Sequence, residues 1–157
     1  MDRETATIAL VLITILAVLA AVYPLLPSNN EPFSELGVLG PTQKIGSYPT
    51  NLTVGQRVTL YGYLGDHEGE ASYYMLVVKL GNTTTIVSNS TAASAPVILT
   101  RYQVLASNQT TTFPVSLSIG TAGTDDRLIF ELWRFNTTTS QFYYTGLWNQ
   151  LFVNVTK

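Results

Sequence analysis

The chain has 157 residues, no cysteine, 11% charged residues and a formal net charge of −2. Without cysteine there is no disulfide, no thiolate nucleophile and no thiolate metal site. Its eight Lys and Arg form no cluster, and phosphate backbones demand concentrated cations, so nucleic acid is not an expected partner.

The run Ala6 to Leu26 contains no charged residue; Arg3 and Glu4 precede it and Glu31 is the next charge after it. A helix rises about 1.5 Å per residue, so roughly 20 such residues span the ~30 Å hydrocarbon core of a bilayer. This predicts a transmembrane anchor over residues 1–27. Tyr23 sits as an interfacial aromatic, and Pro24 and Pro27 end the helix. The segment Met1 to Thr5 carries two acids against one Arg and the terminal amine, and the apolar run exceeds the length of a signal-peptide core. A retained anchor therefore fits better than a cleaved signal, although Ala17 to Ala21 could mimic a cleavage site. Arg3 lies before the helix and Lys44 is the first cation after it. The positive-inside rule then puts the N-terminus in the cytoplasm and the C-terminal domain outside the cell membrane. Thr14, Ala17, Ala20 and Ala21 offer small positions where another transmembrane helix can approach.

Residues 28–49 read as a linker punctuated by Pro, Gly, Ser and Asn, with Phe33, Leu36, Val38, Leu39 and Ile45 supplying a possible first strand. From 50 to 157 the pattern is that of strands. Val58, Leu60, Gly62 and Leu64 alternate with Thr59, Tyr61 and Tyr63, and Tyr73–Leu80 is a continuous β-branched and aromatic run. Further strands are expected at Thr84–Val87, Val97–Leu105, Thr111–Ile119, Leu128–Phe135, Gln141–Thr145 and Leu147–Val155, with Trp133 as a core aromatic. The fold class is all-β: an immunoglobulin-like antiparallel β-sandwich of 7–8 strands preceded by one transmembrane α-helix.

Six triplets fit N-x-[ST] without an intervening proline, at Asn51, Asn82, Asn89, Asn108, Asn136 and Asn154. They agree with an extracytoplasmic domain carrying N-linked glycans.

Three segments carry a resemblance: Glu31–Pro41 (EPFSELGVLGP), Tyr48–Gly55 (YPTNLTVG) and Asp66-His67-Glu68-Gly69. Together with the Leu128–Trp133 strand they resemble an archaeal family of uncharacterised membrane proteins. In that family a hydrophobic N-terminal part precedes an extracytoplasmic immunoglobulin-like β-sandwich. The resemblance implies fold and topology, and it transfers no catalytic residue. Members of that family often carry several transmembrane helices, and they have Asn where this chain has Asp66.

The densest chemistry lies in Asp66, His67, Glu68 and Glu70, which include the single histidine. Carboxylates and an imidazole are ligands for a divalent cation or an acid/base pair. The competing reading is a polar turn, because adjacent side chains of an extended segment point to opposite faces. Asp125 and Asp126 similarly suit a turn. No nucleophile elbow or phosphate loop accompanies these residues, so no enzyme and no cofactor are expected. Tyr61, Tyr63, Tyr73, Tyr74, Tyr102, Phe142, Tyr143, Tyr144 and Trp148 supply either sheet packing or a recognition platform. Phe142, Tyr143, Tyr144 and Trp148, read as a hairpin around Gly146, are the partner-contact candidates. The function expected is a non-catalytic, membrane-anchored interaction module, an accessory or structural subunit touching other membrane proteins and the bilayer. A glycosylated surface or filament subunit is the first alternative, and a metal- or ligand-binding sandwich the second.

Overall fold

The computed structural model describes residues 3–22 and 31–157, with helical side chains placed at 12–18 and 20–22. Residues 1–31 and 32–157 are separate compact units. In the first, the helix α1 covers Arg3–Val22, a stretch free of Pro and Gly, the residues that break helices. Among the described residues no helix is long and apolar enough to cross a membrane. The expected transmembrane character therefore stays with the sequence alone. The boundary expected at Tyr23, Pro24 and Pro27 lies outside the described residues.

The second unit has eight strands: β1 Phe33–Leu39, β2 Asn51–Thr53, β3 Arg57–His67, β4 Ser72–Gly81, β5 Val97–Leu105, β6 Thr110–Ser118, β7 Gly123–Asn136 and β8 Gln141–Thr156. They form a three-stranded sheet, β1-β3-β6, and a five-stranded sheet, β2-β8-β7-β4-β5. Alternation sets the core between them. Val58, Leu60 and Leu64 of β3 meet Tyr74, Leu76 and Val78 of β4 and Leu128, Phe130 and Leu132 of β7 in one buried cluster. Gly62 falls on the same face because the Phe113 ring takes its space: an added Cβ would lie 2.8 Å from Phe113 Cζ.

Several expectations change. Phe33–Leu39, in the segment read as linker and possible first strand, is β1, an edge strand paired with β3, and the compact unit begins at Pro32. The sandwich is not wholly antiparallel, since β2 runs parallel to the end of β8. Thr84–Val87 is not a strand. Asn82 Oδ1 accepts hydrogen bonds from Thr84 N at 3.0 Å and Thr84 Oγ1 at 2.8 Å, a local turn that outcompetes a ladder. The hairpin around Gly146 does not exist. β8 runs unbroken from Gln141 to Thr156, and the register against β7 slips between Glu131 and Trp133. Gly146 absorbs that irregularity at φ 83, a conformation open to glycine. Trp133 is half-buried on the outer face of the five-stranded sheet and not between the sheets, because its neighbour Leu132 points into the core.

Candidate functional site

At one end of the sandwich the inward-facing row of each strand turns polar. Ser34 of β1, Asp66 of β3, Tyr74 of β4 and Arg134 of β7 meet there with the Glu68–Glu70 turn. Arg134 donates to Glu68 Oε2 at 2.7 Å and to Glu70 Oε1 at 3.1 Å. Ser34 Oγ donates to Glu68 Oε1 at 2.5 Å and lies 2.9 Å from the Tyr74 hydroxyl. Burial pushes the Tyr74 phenol above its ordinary value of 10.0, and the Asp66 and Glu68 carboxylates add to that shift. Asp66 is fully buried. Its Oδ1 accepts from Glu68 N at 2.9 Å, whereas Oδ2 has no hydrogen-bond partner among the described residues.

An unpaired buried acceptor is destabilising by about 1–3 kcal/mol. Asp66→Asn keeps the Oδ1 acceptor and presents an amide donor to the neighbouring Tyr74 and Glu68 oxygens. We expect it to raise stability by about 1 kcal/mol in urea unfolding; a loss of stability would show that Oδ2 is already satisfied.

The four residues read as metal ligands do not converge. Glu68 and Glu70 are engaged by Arg134, and Asp66 faces the interior. His67, next along β3, points to the opposite face, where its ring stacks on Phe33 with centroids 4.5 Å apart. There Nε2 lies 3.7 Å from Glu35 Oε2 and Nδ1 3.3 Å from Asn108 Oδ1. Among the described residues no three His, Cys, Asp or Glu are grouped to hold an ion. The alternation that weakens the motif on paper separates it in the fold.

The partner-contact candidates divide in two. Phe142 joins Tyr73, Tyr102 and Phe135 on the outer face of the five-stranded sheet, with ring centroids 5.2–6.0 Å apart. Tyr102 is 52% exposed and Tyr73 38%, and neighbouring Val104 is 69% exposed. Tyr143, on the other face, lies beside Arg134, its pairing partner in β7. Tyr144 belongs instead to the anchorage of the β4–β5 loop, residues 82–96. Tyr144 packs on Trp133 at 5.6 Å and donates to the Ser88 carbonyl at 2.8 Å; half-buried Trp148 pairs with Glu131.

Beneath that loop lies an ion pair the sequence does not announce. Lys79 Nζ is 2.9 Å from Glu131 Oε2, and the Glu131 side chain is fully buried. Lys79 also donates to the Ala93 carbonyl at 2.7 Å, while Glu131 Oε1 accepts from Ala93 N at 2.5 Å. Glu131 Oε2 takes a further bond from Trp133 Nε1 at 3.1 Å. Near the loop's start, Arg127 donates to the Thr85 carbonyl at 2.5 Å and to the Gln150 side chain. Both ends of the loop are thus fastened to charged outward-facing residues.

Burial first, and then the Glu131 carboxylate, push the Tyr144 phenol up to about 12. Tyr63 is raised chiefly by its hydrogen bond to Glu35. These phenols keep their protons in the folded state at a pH where the unfolded chain has lost them. The Tyr144 contribution is complete below pH 10 and is lost as pH rises toward 12. An alkaline absorbance titration should show Tyr63, Tyr74 and Tyr144 ionising later than an unperturbed phenol. Nine tyrosines ionising together near the ordinary value in the folded protein would contradict this.

Two cavities flank Arg134 and Tyr143. One of about 390 Å³ is lined by Glu70, Ser72, Tyr73, Phe135, Asn136 and Thr138 among others. The other, about 260 Å³, lies between Phe33, Ser34, Glu68 and Leu147. Of the sequon asparagines, Asn51, Asn82, Asn89 and Asn108 are exposed and Asn136 and Asn154 half-buried. Asp125 and Asp126, read as a turn, lie within β7 at an irregularity in its register with β8; Asn154 Oδ1 accepts from Asp125 N at 3.0 Å, holding Asp125 there at φ 53.

The sandwich is similar to the CARDB domain of the PF1109 protein from Pyrococcus furiosus, with a TM-score of 0.50 and 9% identity over 80% of this chain and 96% of that one. A second structure of that domain, in complex with di-metal ions, gives a TM-score of 0.49 at 8% identity, over 80% of this chain and 90% of that one. A β-glucosidase from Listeria innocua in complex with glucose gives 0.48 at 12% identity, over 80% of this chain. This chain spans only 16% of that enzyme's length. The first of these likenesses shows the fold, an immunoglobulin-like sandwich, and nothing beyond it. No curated protein matches the sequence. A family model described as a domain of unknown function, DUF1616, matches residues 27–149, most of the chain, and the protein belongs to that family.

Proposed function

We propose that this protein is a non-catalytic interaction module, anchored in the cell membrane by its N-terminal helix, whose sandwich lies outside the cytoplasm and docks onto other membrane proteins. The observation that carries the docking role is the four-ring cluster Tyr73–Tyr102–Phe135–Phe142 on a sheet face, with Tyr73, Tyr102 and neighbouring Val104 exposed and Phe135 and Phe142 half-buried. Tyrosine and phenylalanine are enriched at interface cores, where large rigid rings bury much area at small entropic loss. Support for the anchor comes from the uncharged run Ala6–Leu26, and support for the outside placement from the six sequons.

A photo-crosslinking residue at Tyr102 of the full chain, in its native membrane, tests the reading. The expected product is one defined adduct with another membrane protein, missing when the same residue stands at Ser118. Adducts only with a second copy, or equal yields from both positions, would overturn it.

A further inference from the structure

We propose that the cavity beside Arg134 and Tyr143 seats a glycan carried by the protein's own Asn136. The inference rests on the proposed placement of the sandwich outside the cytoplasm. Asn136 is the one sequon asparagine that lines either of the two cavities described above, and its sequon hydroxyl residue, Thr138, lines the same cavity.

The carboxamide is already oriented. Asn136 Oδ1 accepts from Thr138 N at 2.8 Å and Thr139 N at 3.1 Å, which leaves Nδ2 without a hydrogen bond to the described residues. Glycosylation consumes only Nδ2, so the turn survives it. The step is a substitution at the anomeric carbon of a polyprenyl-phosphate-linked oligosaccharide. The C1–Nδ2 bond forms, and the C1–O bond breaks with its electron pair leaving on the phosphate. One amide proton passes to a base of the transferase.

The cavity suits sugars. Tyr73, Phe135 and Tyr143 give it aromatic walls against which the C–H faces of pyranose rings pack. The Glu70 carboxylate, 75% exposed, accepts sugar hydroxyls. A neutral ligand is favoured because Glu68 and Glu70 already neutralise Arg134. The volume of about 390 Å³ falls at the low end of the roughly 300–1,000 Å³ typical of ligand sites. Tyr73, Phe135 and Val104 line both this cavity and the docking face, so a seated glycan leaves Tyr102 and Phe142 as the rings open to a protein partner.

Glycopeptide mass spectrometry of the full native protein, followed by thermal unfolding of glycosylated and enzymatically deglycosylated samples, tests this. Asn136 should carry a glycan, and its removal should lower Tm by about 2–4 °C. Thr138→Ala, which keeps the backbone turn but destroys the sequon, should match the deglycosylated protein. Phe135→Ala should abolish the Tm difference between the two samples even if it lowers both. Occupancy at other sequons with Asn136 bare overturns this inference alone. Bare asparagine at all six sequons removes the support they give to the outside placement as well. An occupied Asn136 whose glycan leaves Tm unchanged shows that it does not enter the cavity.

Discussion

Lys79→Met should destabilise the sandwich by about 3–5 kcal/mol, the range for removing one member of a buried ion pair. The effect is large because Glu131 is fully buried and would lose its cation, leaving only the Ala93 and Trp133 N–H groups as partners. The β4–β5 loop would lose its anchor at Ala93 at the same time. Replacing both partners, Lys79→Met with Glu131→Leu, should recover part of the loss, since an apolar pair removes the stranded charge. Recovery stays partial because the Ala93 and Trp133 donors then lack their acceptor. Urea unfolding of the three variants measures this. A Lys79→Met change below about 1 kcal/mol would mean that the pair is solvated and the loop does not cover it.

Tyr74→Ala should be as damaging, by about 3–5 kcal/mol. Tyr74 is the largest of the fully buried side chains, packed between the sheets, and truncation leaves a cavity that neighbouring strands cannot close. Tyr74→Phe isolates the hydroxyl. It removes the contact with Ser34 and should lower stability by about 1 kcal/mol. If the two substitutions gave equal losses, the hydroxyl network would be holding the site and packing would contribute little.

Much of the sandwich is legible in the sequence because alternation is a local signal. Val58, Leu60 and Leu64 announce their inward face, and the regular spacing of strands announces the two sheets. Placement at the sheet level is less legible. Trp133 reads as core by its chemistry, yet its position in the alternation assigns it outward, where Tyr144, Glu131 and Lys79 surround it and leave it half-buried. The loop follows from contacts distant in sequence: Lys79, Ala93 and Glu131 form one unit across 52 positions of chain, and no local pattern links them. Gly146 reads as a turn because glycine marks turns and bulges alike. The Asp66–Glu70 motif is readable as a polar turn, but its pairing with Arg134 joins residues more than sixty positions apart. In the aromatic cluster, Phe142, Tyr73 and Tyr102 are recognisable as candidates, whereas Phe135 joins them only through the β7–β8 register.

The most direct measurement is native purification of the full-length protein in mild detergent, with quantitative mass spectrometry of what accompanies it, set beside a Tyr102→Ser/Phe142→Ser double variant. Both rings are surface-accessible, so the variant should fold and remain in the membrane fraction. The expected result is a defined membrane protein at fixed stoichiometry with the native chain and its loss from the variant. Recovery of the native chain alone, or of the same companions with both chains, would contradict a docking role for this sheet face.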